Sequence, residues 1–363
     1  MGHNYYEALL GSILLAAIPV CGQTNPPPAE AASTLGLEEG PAPRLNRIGL
    51  SYAMGVNISV DFRKLGGLQL SQPGPATGGA VNRNYDNGYN RVDVSGNANN
   101  FTWDWGYSSP HSVQGDNLVL QSDSTPNTAR TGQYQDGPQS GMELTYSREL
   151  KRGKHWRAGL EGAFGYMSLS FRNDQTLNYF ADRTSDTFAL NGVIPPQSPY
   201  AGTFQGPGAV ISSAPSGRSV TALSSAATIV GQRQLDSDVF MLRFGPYLEV
   251  PLPHKFFLTL GGGLALAWAD SQFSFQEQVF ISDPYYGIDL AGPRQSSSGS
   301  QTDFLVGGYA GGNLGYDVTE RVRVQAGVIY QAAGTATNNQ GGKQSVLDLG
   351  KSVLFTVGAS YSF

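Results

Sequence analysis

The sequence predicts an all-β fold: a single antiparallel up-and-down transmembrane β-barrel of eight strands, with long loops at one end and short turns at the other. Three observations predict it. Apolar residues recur at every second position through several segments. Tight and long connections between those segments alternate along the chain. The last segment, from Val353 to Phe363, alternates to its final residue, an aromatic. Period-two alternation places successive side chains on opposite faces of a sheet, and a barrel in lipid carries its apolar face outward.

Composition narrows the class. Only 14% of the 363 residues are charged, and 47 are glycine. An ordinary soluble domain is about 25% charged. Mean hydropathy is −0.24, which excludes a bundle of membrane-spanning helices. Net charge is −5, with no basic cluster beyond residues 148–154, so nothing suggests nucleic acid. The single cysteine, Cys21, fits an exported protein built without disulfides.

Residues 1–22 read as a secretory signal peptide, with an apolar stretch from Leu9 to Val20 and small residues before a cleavage point after Gly22. A membrane-spanning helix needs about 20 apolar residues, which this stretch does not supply. Met1 to Leu10 lacks the usual Lys or Arg. A lipidated Cys21 is disfavoured because Val20, not a smaller residue, precedes it. Residues 23–46 hold five prolines and no period, and read as a periplasmic linker. Residues 47–363 are the expected barrel domain.

The clearest strand is 47–63, with Ile48, Leu50, Tyr52, Met54, Val56, Ile58, Val60 and Phe62 on one face. A hairpin at 139–172 follows. It turns at 149–154, and a change of apolar parity to Leu169 and Phe171 suggests a bulge. A third unit spans 236–275 and turns at 251–255. A fourth spans 303–334 and turns at 319–320, and 345–363 closes the set. The long connections are then 64–138, 173–235, 276–302 and 335–344. Short periplasmic turns and long extracellular loops account for the alternation, and termini at one end require an even strand number. A further hairpin near 101–107 and 118–120, if it joined the wall, would make ten strands.

The outward face is apolar, with Trp156 and Trp268 near strand ends as girdle candidates. The inward face holds Asp61, Arg63, Glu143, Arg157, Glu161, Arg243, Glu249, Asp317 and Arg323. These charges either line a channel or plug the interior as an ion-pair network. The plug is preferred, because an eight-stranded barrel is only wide enough for side chains to fill.

Catalytic signals are weak. Of His3, His111, His155 and His254, only His111 lies in an outer loop, and it has no defined partner. No spacing suits a metal or cofactor. The run from Asn82 to Asn100 is rich in Asp, Asn and Gly but lacks an EF-hand's spacing, and reads as turn chemistry. The remaining candidates for ligand contact are loop aromatics: Trp103, Trp105, Tyr107, Tyr285 and Tyr286. Packing of loop against loop is the competing, preferred reading for them.

Together these patterns resemble the small bacterial outer-membrane β-barrel proteins of the OmpA/OmpX-like and opacity-protein-like class. The resemblance covers 47–363 and rests on patterns rather than residue-exact motifs. It implies the outer membrane as location, lipid as solvent and a monomer. It also implies an assembly signal at Phe355, Val357, Tyr361 and Phe363, read by the barrel-assembly machinery. The expected role is structural or surface-binding, with a glycan or protein as ligand, and not enzymatic. A small pore and a lipid-modifying hydrolase are the alternatives. Unlike OmpA, the chain is expected to carry no peptidoglycan-binding domain, and its first loop is unusually long for the class.

Overall fold

A segment that alternates apolar and polar residues buries one face and must satisfy its backbone by pairing with similar segments. Eight long segments do so in the computed structural model, which describes residues 45–284 and 286–363. They are β1 (Asn46–Val56), β2 (Gln139–Arg152), β3 (Arg157–Asn173), β4 (Gly217–Pro251), β5 (Phe256–Asp283), β6 (Gln295–Asp317), β7 (Val322–Ala332) and β8 (Ser352–Ser362). Each pairs antiparallel with the next, and β8 pairs with β1 from Val353↔Val56 to Ser362↔Arg47. The predicted signal peptide and all but the last residues of the predicted linker, with Cys21, lie outside the described residues.

The pairings are staggered. From Asp317 on β6, facing residues run through Arg323, Ser360, Gly49, Thr145, Ala163, Arg243 and Ala265, and return to β6 at Gly307, ten residues away. Stagger of this kind accompanies strands tilted against a common axis. Between β4 and β5 the backbones approach closely at Gly245 and Gly263, where an added Cβ would meet a carbonyl across the ladder.

The exposed face changes character at one level. Tyr166, Phe240, Trp268 and Phe304 face one another in a row across β3 to β6. Towards the short turns, exposed residues are apolar: Leu242, Phe244 and Leu248 on β4, Leu258, Leu260 and Leu264 on β5, Val324 and Val328 on β7. One step towards the long loops, the row reads Ser168, Asp238, Asp270, Thr302. Beyond it, Gln272, Gln276, Ser296, Ser298 and Ser300 are exposed. The aromatic row therefore has the position of an interfacial girdle. Trp268 stands in it, and Trp156 is exposed at the opposite end, beside the β2–β3 turn.

The inner face reverses in the opposite sense. Nearer the short turns it buries Glu143, Arg243, Glu249 and Arg323. Nearer the long loops it buries Met167, Leu169, Phe171, Leu235, Val239, Phe273, Phe275, Val279 and Ile281 in one apolar core. The expected bulge before Leu169 is absent. β3 pairs with β4 without a break from Arg157↔Glu249 to Asn173↔Arg233. The apolar parity switches because the wall leaves lipid for water, and apolar side chains then belong inside. The β2–β3 irregularity lies instead between Glu149 and Lys151.

Other expected boundaries are corrected. The 47–63 strand breaks at Asn57, which has φ 59°, a left-handed conformation that Asn tolerates. Ile58, Val60 and Phe62 consequently lie in the inner core and not on the outer face. Asp61 and Arg63 stand on a separate strand, Ser59–Arg63, paired with Lys343–Asp348. β4 and β5 extend 35 and 28 residues, far into the spans expected as loops. Residues 335–344 are not a plain loop, since Thr335–Gln340 and Lys343–Asp348 form a hairpin. The strand Asn117–Thr125 does join the main sheet, through Leu177–Ala189 and the loop-side end of β4. It adds to the sheet above the aromatic row and is not inserted between any of the eight strands.

The level of the belt is testable on one strand face. Leu260→Arg should cost about 2–4 kcal/mol of unfolding free energy in lipid, the range for Arg at a bilayer midplane. Gln272→Arg, on the same face of β5, should change it by less than about 0.5 kcal/mol, as for an exposed site. Urea unfolding in lipid vesicles measures both. Equal effects would place the belt elsewhere.

Candidate functional site

Charges buried near the short turns must be paired, because desolvating a lone ion costs several kcal/mol. Glu249 is fully buried and meets three guanidinium groups: Arg47 at 2.9 Å, Arg323 at 2.6 Å and Arg157 at 3.4 Å. Arg323 also holds Asp317 at 2.6 Å. Arg243 pairs with Glu143 and lies 4.8 Å from the centre of the Tyr309 ring. Of the expected interior charges, the structure thus groups Glu249, Arg157, Arg323 and Asp317 in one cluster and Glu143 with Arg243 in another. Arg47 joins the first although it was not expected there. Glu161 is half-buried on the same face and has no ion pair among the described residues. Asp61 pairs with Arg63 at 2.7 Å and Arg130 at 3.4 Å, apart from both clusters.

Above the charged layer, two segments fold into the space between the strands. One segment brings Ile58, Val60, Phe62, Leu65 and Leu68, and the other, paired with it at Val60↔Leu347, brings Ala336, Leu347 and Leu349. Phe62 stacks on Phe273 at 5.7 Å. A buried triad fastens both segments to the wall. Glu277 on β5 lies 2.7 Å from the Lys343 ammonium and 3.6 Å from the Arg233 guanidinium, and accepts a hydrogen bond from the Gly66 N–H at 3.1 Å. The Lys343 ammonium donates in turn to the Gly66 carbonyl.

The first two long connections form a folded platform. Arg83–Tyr85, Gly88–Asn90, Trp105–Tyr107 and Tyr200–Ala201 make a four-stranded antiparallel sheet. Beneath it Tyr85, Trp105, Tyr107, Leu118, Leu120, Phe188, Leu190 and Ile211 form a second apolar core. Polar residues hold this core in place. Arg183 bridges Asp123 and Asp283. Arg218 pairs with Asp186 at 2.6 Å, and Asp186 also accepts from the Tyr85 hydroxyl. Burial, reinforced by that hydrogen bond and the adjacent carboxylate, pushes the Tyr85 phenol far above its ordinary range. Arg83 is buried and pairs with no carboxylate among the described residues. It donates instead to the carbonyls of Pro75, Thr77, Gly78, Val81 and Ser213. Burial alone would raise the Asp93 carboxyl. Hydrogen bonds from Ser95, Trp103 and Asn97 outweigh it and hold the group below its usual value. That ring of donors is turn chemistry, and no cluster of potential metal ligands occurs among the described residues.

The expected loop aromatics are distributed between core and edge. Trp105 is fully buried and donates to the Ala209 carbonyl at 2.7 Å, and Tyr107 is buried and donates to Pro196. Trp103 is half-buried and donates to the Phe204 carbonyl at 3.3 Å. Tyr286 is half-buried beneath the Arg183 guanidinium, 4.9 Å away. Tyr285 lies outside the described residues. His111 is exposed in a short 3-10 turn, and its imidazole makes no hydrogen bond or ion pair among the described residues. Phe355, Val357, Tyr361 and Phe363 are exposed on the outer face of the terminal strand, and the Phe363 backbone pairs with Asn46.

The platform carries an open groove of about 380 Å³ that sequence reasoning did not identify. Its lining includes Tyr85, Tyr107 and Tyr200 from the core-facing side of the sheet, Asn84 and Tyr89 from the other side, and the exposed Arg91 and Ser108. Tyr89 and Arg91 fall inside the run read as turn chemistry. Tyr200 comes from a different loop, and no spacing along the chain announces their meeting.

No family profile and no curated protein matches the chain. Among solved structures it is similar to Ail, the attachment invasion locus protein of Yersinia pestis, at 10% identity over 88% of this chain and 97% of Ail, with a TM-score of 0.30. It is similar to the outer membrane protein OprG from Pseudomonas aeruginosa at 10% identity over 88% and 95%, with a TM-score of 0.30. The outer membrane protease OmpT from Escherichia coli gives 12% identity over 89% and 98%, with a TM-score of 0.31. OprG and OmpT are outer-membrane proteins. An apolar belt bounded by an aromatic row is the pattern that a strand wall facing lipid requires.

Two substitutions separate the layers. Phe188→Ala should remove about 3–5 kcal/mol, the usual cost of an excavated core aromatic. The loss should be local, seen as faster proteolysis within 64–138 while the heat-modifiable folded band persists. Glu249→Gln should cost about 3–5 kcal/mol by leaving Arg47 and Arg157 without their carboxylate and Arg323 with Asp317 alone. It should lower the urea midpoint of the whole wall and leave protease sensitivity of the platform unchanged.

Proposed function

We propose that the chain is a monomeric, eight-stranded, closed barrel of the outer membrane that neither conducts nor catalyses, and that displays a surface-binding platform. The observation that carries this reading is the filling of the inner face at two levels. The Glu249 and Glu143 ion pairs occupy one level, and the apolar core around Phe62 and Phe273 occupies the other. A solute path would have to break buried ion pairs and open a dry core together, each at a cost of several kcal/mol. The cyclic order of the pairings supports closure, which lipid demands of any spanning sheet.

What remains accessible is the platform, whose separate core and buried ion pairs give it a fixed shape. Rigid frames that carry ordered loops are the usual setting for recognition. Export would use the predicted signal peptide, and insertion would use the exposed Phe355, Val357, Tyr361 and Phe363 as the assembly signal.

Recording from a planar bilayer tests the sealed interior. The wild type should give no discrete conductance steps. Steps whose ion selectivity changes in Arg243→Gln or Glu249→Gln would replace this reading with a pore.

A further inference from the structure

We propose that the outward side of the β2–β3 hairpin is a phosphate clip for an anionic phospholipid of the leaflet on the short-turn side. The inference rests on the reading of the apolar wall as lipid-facing. On β2, Met142, Leu144, Tyr146 and Arg148 are exposed on one face. Arg148 therefore continues a row that meets hydrocarbon, and it stands opposite the exposed Leu160 of β3.

The irregularity between Glu149 and Lys151 adds a second cation to that face. Arg148 pairs with Leu160 and Lys151 with Ala158, so three steps along β2 match two along β3. Without this extra residue, alternation would turn Lys151 inward and Arg152 outward. With it, Arg152 stands opposite Arg157 and closes on the buried Glu149, through Nε at 2.6 Å and Nη2 at 2.8 Å. Lys151 stands outward, its ammonium 5.9 Å from the centre of the exposed Trp156 ring. Arg152 and Arg157 are thus matched by Glu149 and Glu249. Arg148 and Lys151 have no carboxylate partner among the described residues.

Two cations at the margin of an apolar wall call for an anion, and the anion that lipid offers there is phosphate. A guanidinium fork matches two phosphate oxygens, and an ammonium held near an indole adds a point charge beside it. Leu144 and Leu160 supply adjoining apolar surface for an acyl chain. In a zwitterionic lipid the head group's own ammonium already balances the phosphate, so the clip favours a lipid with net negative charge. The other margin of the belt has no such pair. Its row of Ser168, Asp238, Asp270 and Thr302 carries no cation.

The test is native mass spectrometry of the folded full barrel in detergent, titrated with phosphatidylglycerol or phosphatidylcholine of equal acyl chains. Wild type should bind its first phosphatidylglycerol about tenfold or more tighter than phosphatidylcholine. Arg148→Gln and Lys151→Gln should each weaken phosphatidylglycerol about fivefold, the worth of one cation beside anionic lipid, and spare phosphatidylcholine. The double variant should lose the preference. Lys154→Gln, at the exposed tip of the same turn, should stay within about twofold of wild type. Equal binding of the two lipids by wild type, or a preference that survives the double variant, would overturn the clip. Displacement of the lipid by soluble glycerol phosphate at equal concentration would also overturn it, by assigning the cations to free phosphate. A barrel that lacks the preference but still distinguishes Leu260→Arg from Gln272→Arg in lipid keeps its membrane reading and loses the clip alone.

Discussion

Hydrocarbon offers no partner to a backbone N–H or C=O, and the rest of this structure depends on that constraint. A sheet that crosses lipid has to pair every strand on both sides. The eight long strands meet it through pairings that lead from β1 to β8 and back to β1. Once the strands are so arranged, each has one face towards lipid and one towards a narrow interior. The inward face is filled by residues that satisfy one another. Glu249 with its three guanidinium partners is the clearest instance.

The same strands continue beyond the lipid, and there the assignment of faces inverts. Trp268 is exposed in the aromatic row, Asp270 is exposed one step above it, and Phe273 and Phe275 are buried inside. Each strand thus reads as a membrane strand in one half and as a soluble sandwich strand in the other. The inversion explains how one wall can anchor a protein in lipid and also supply the foundation of a water-exposed platform. The Glu277 triad belongs to that second half, where it ties 64–68 and the 335–348 hairpin to the wall.

Much of the belt was legible in the sequence, because alternation reports directly which residues share a face. Arg243 and Arg323, expected inside, are buried, while Leu258, Leu260 and Val324 are exposed on the apolar outer face. Alternation does not report which face meets lipid. Ile58, Val60 and Phe62 continue the parity of Leu50 and Tyr52, and only the turn at Asn57 sends them inward. The upper part of β6, with exposed Ser296, Ser298 and Ser300, has no apolar alternation and read as loop. The platform was illegible for a different reason. Its strands are mostly two or three residues long, and its key pairs are distant, such as Asp123 with Arg183 and Tyr89 with Gly202. Trp105 and Tyr107 looked like candidate surface contacts because composition alone does not distinguish an exposed loop aromatic from the core of a small folded unit.

The inversion of faces along a single strand is the central claim, and depth-dependent quenching tests it most directly. Single cysteines on β5, labelled with a fluorophore, would be read against lipids carrying quenchers along the acyl chain. Positions 258, 260, 264 and 268 should be quenched, and positions 270, 272 and 276 should not. Quenching that continued through 276, or that appeared at the inner positions 265 and 267, would contradict the account.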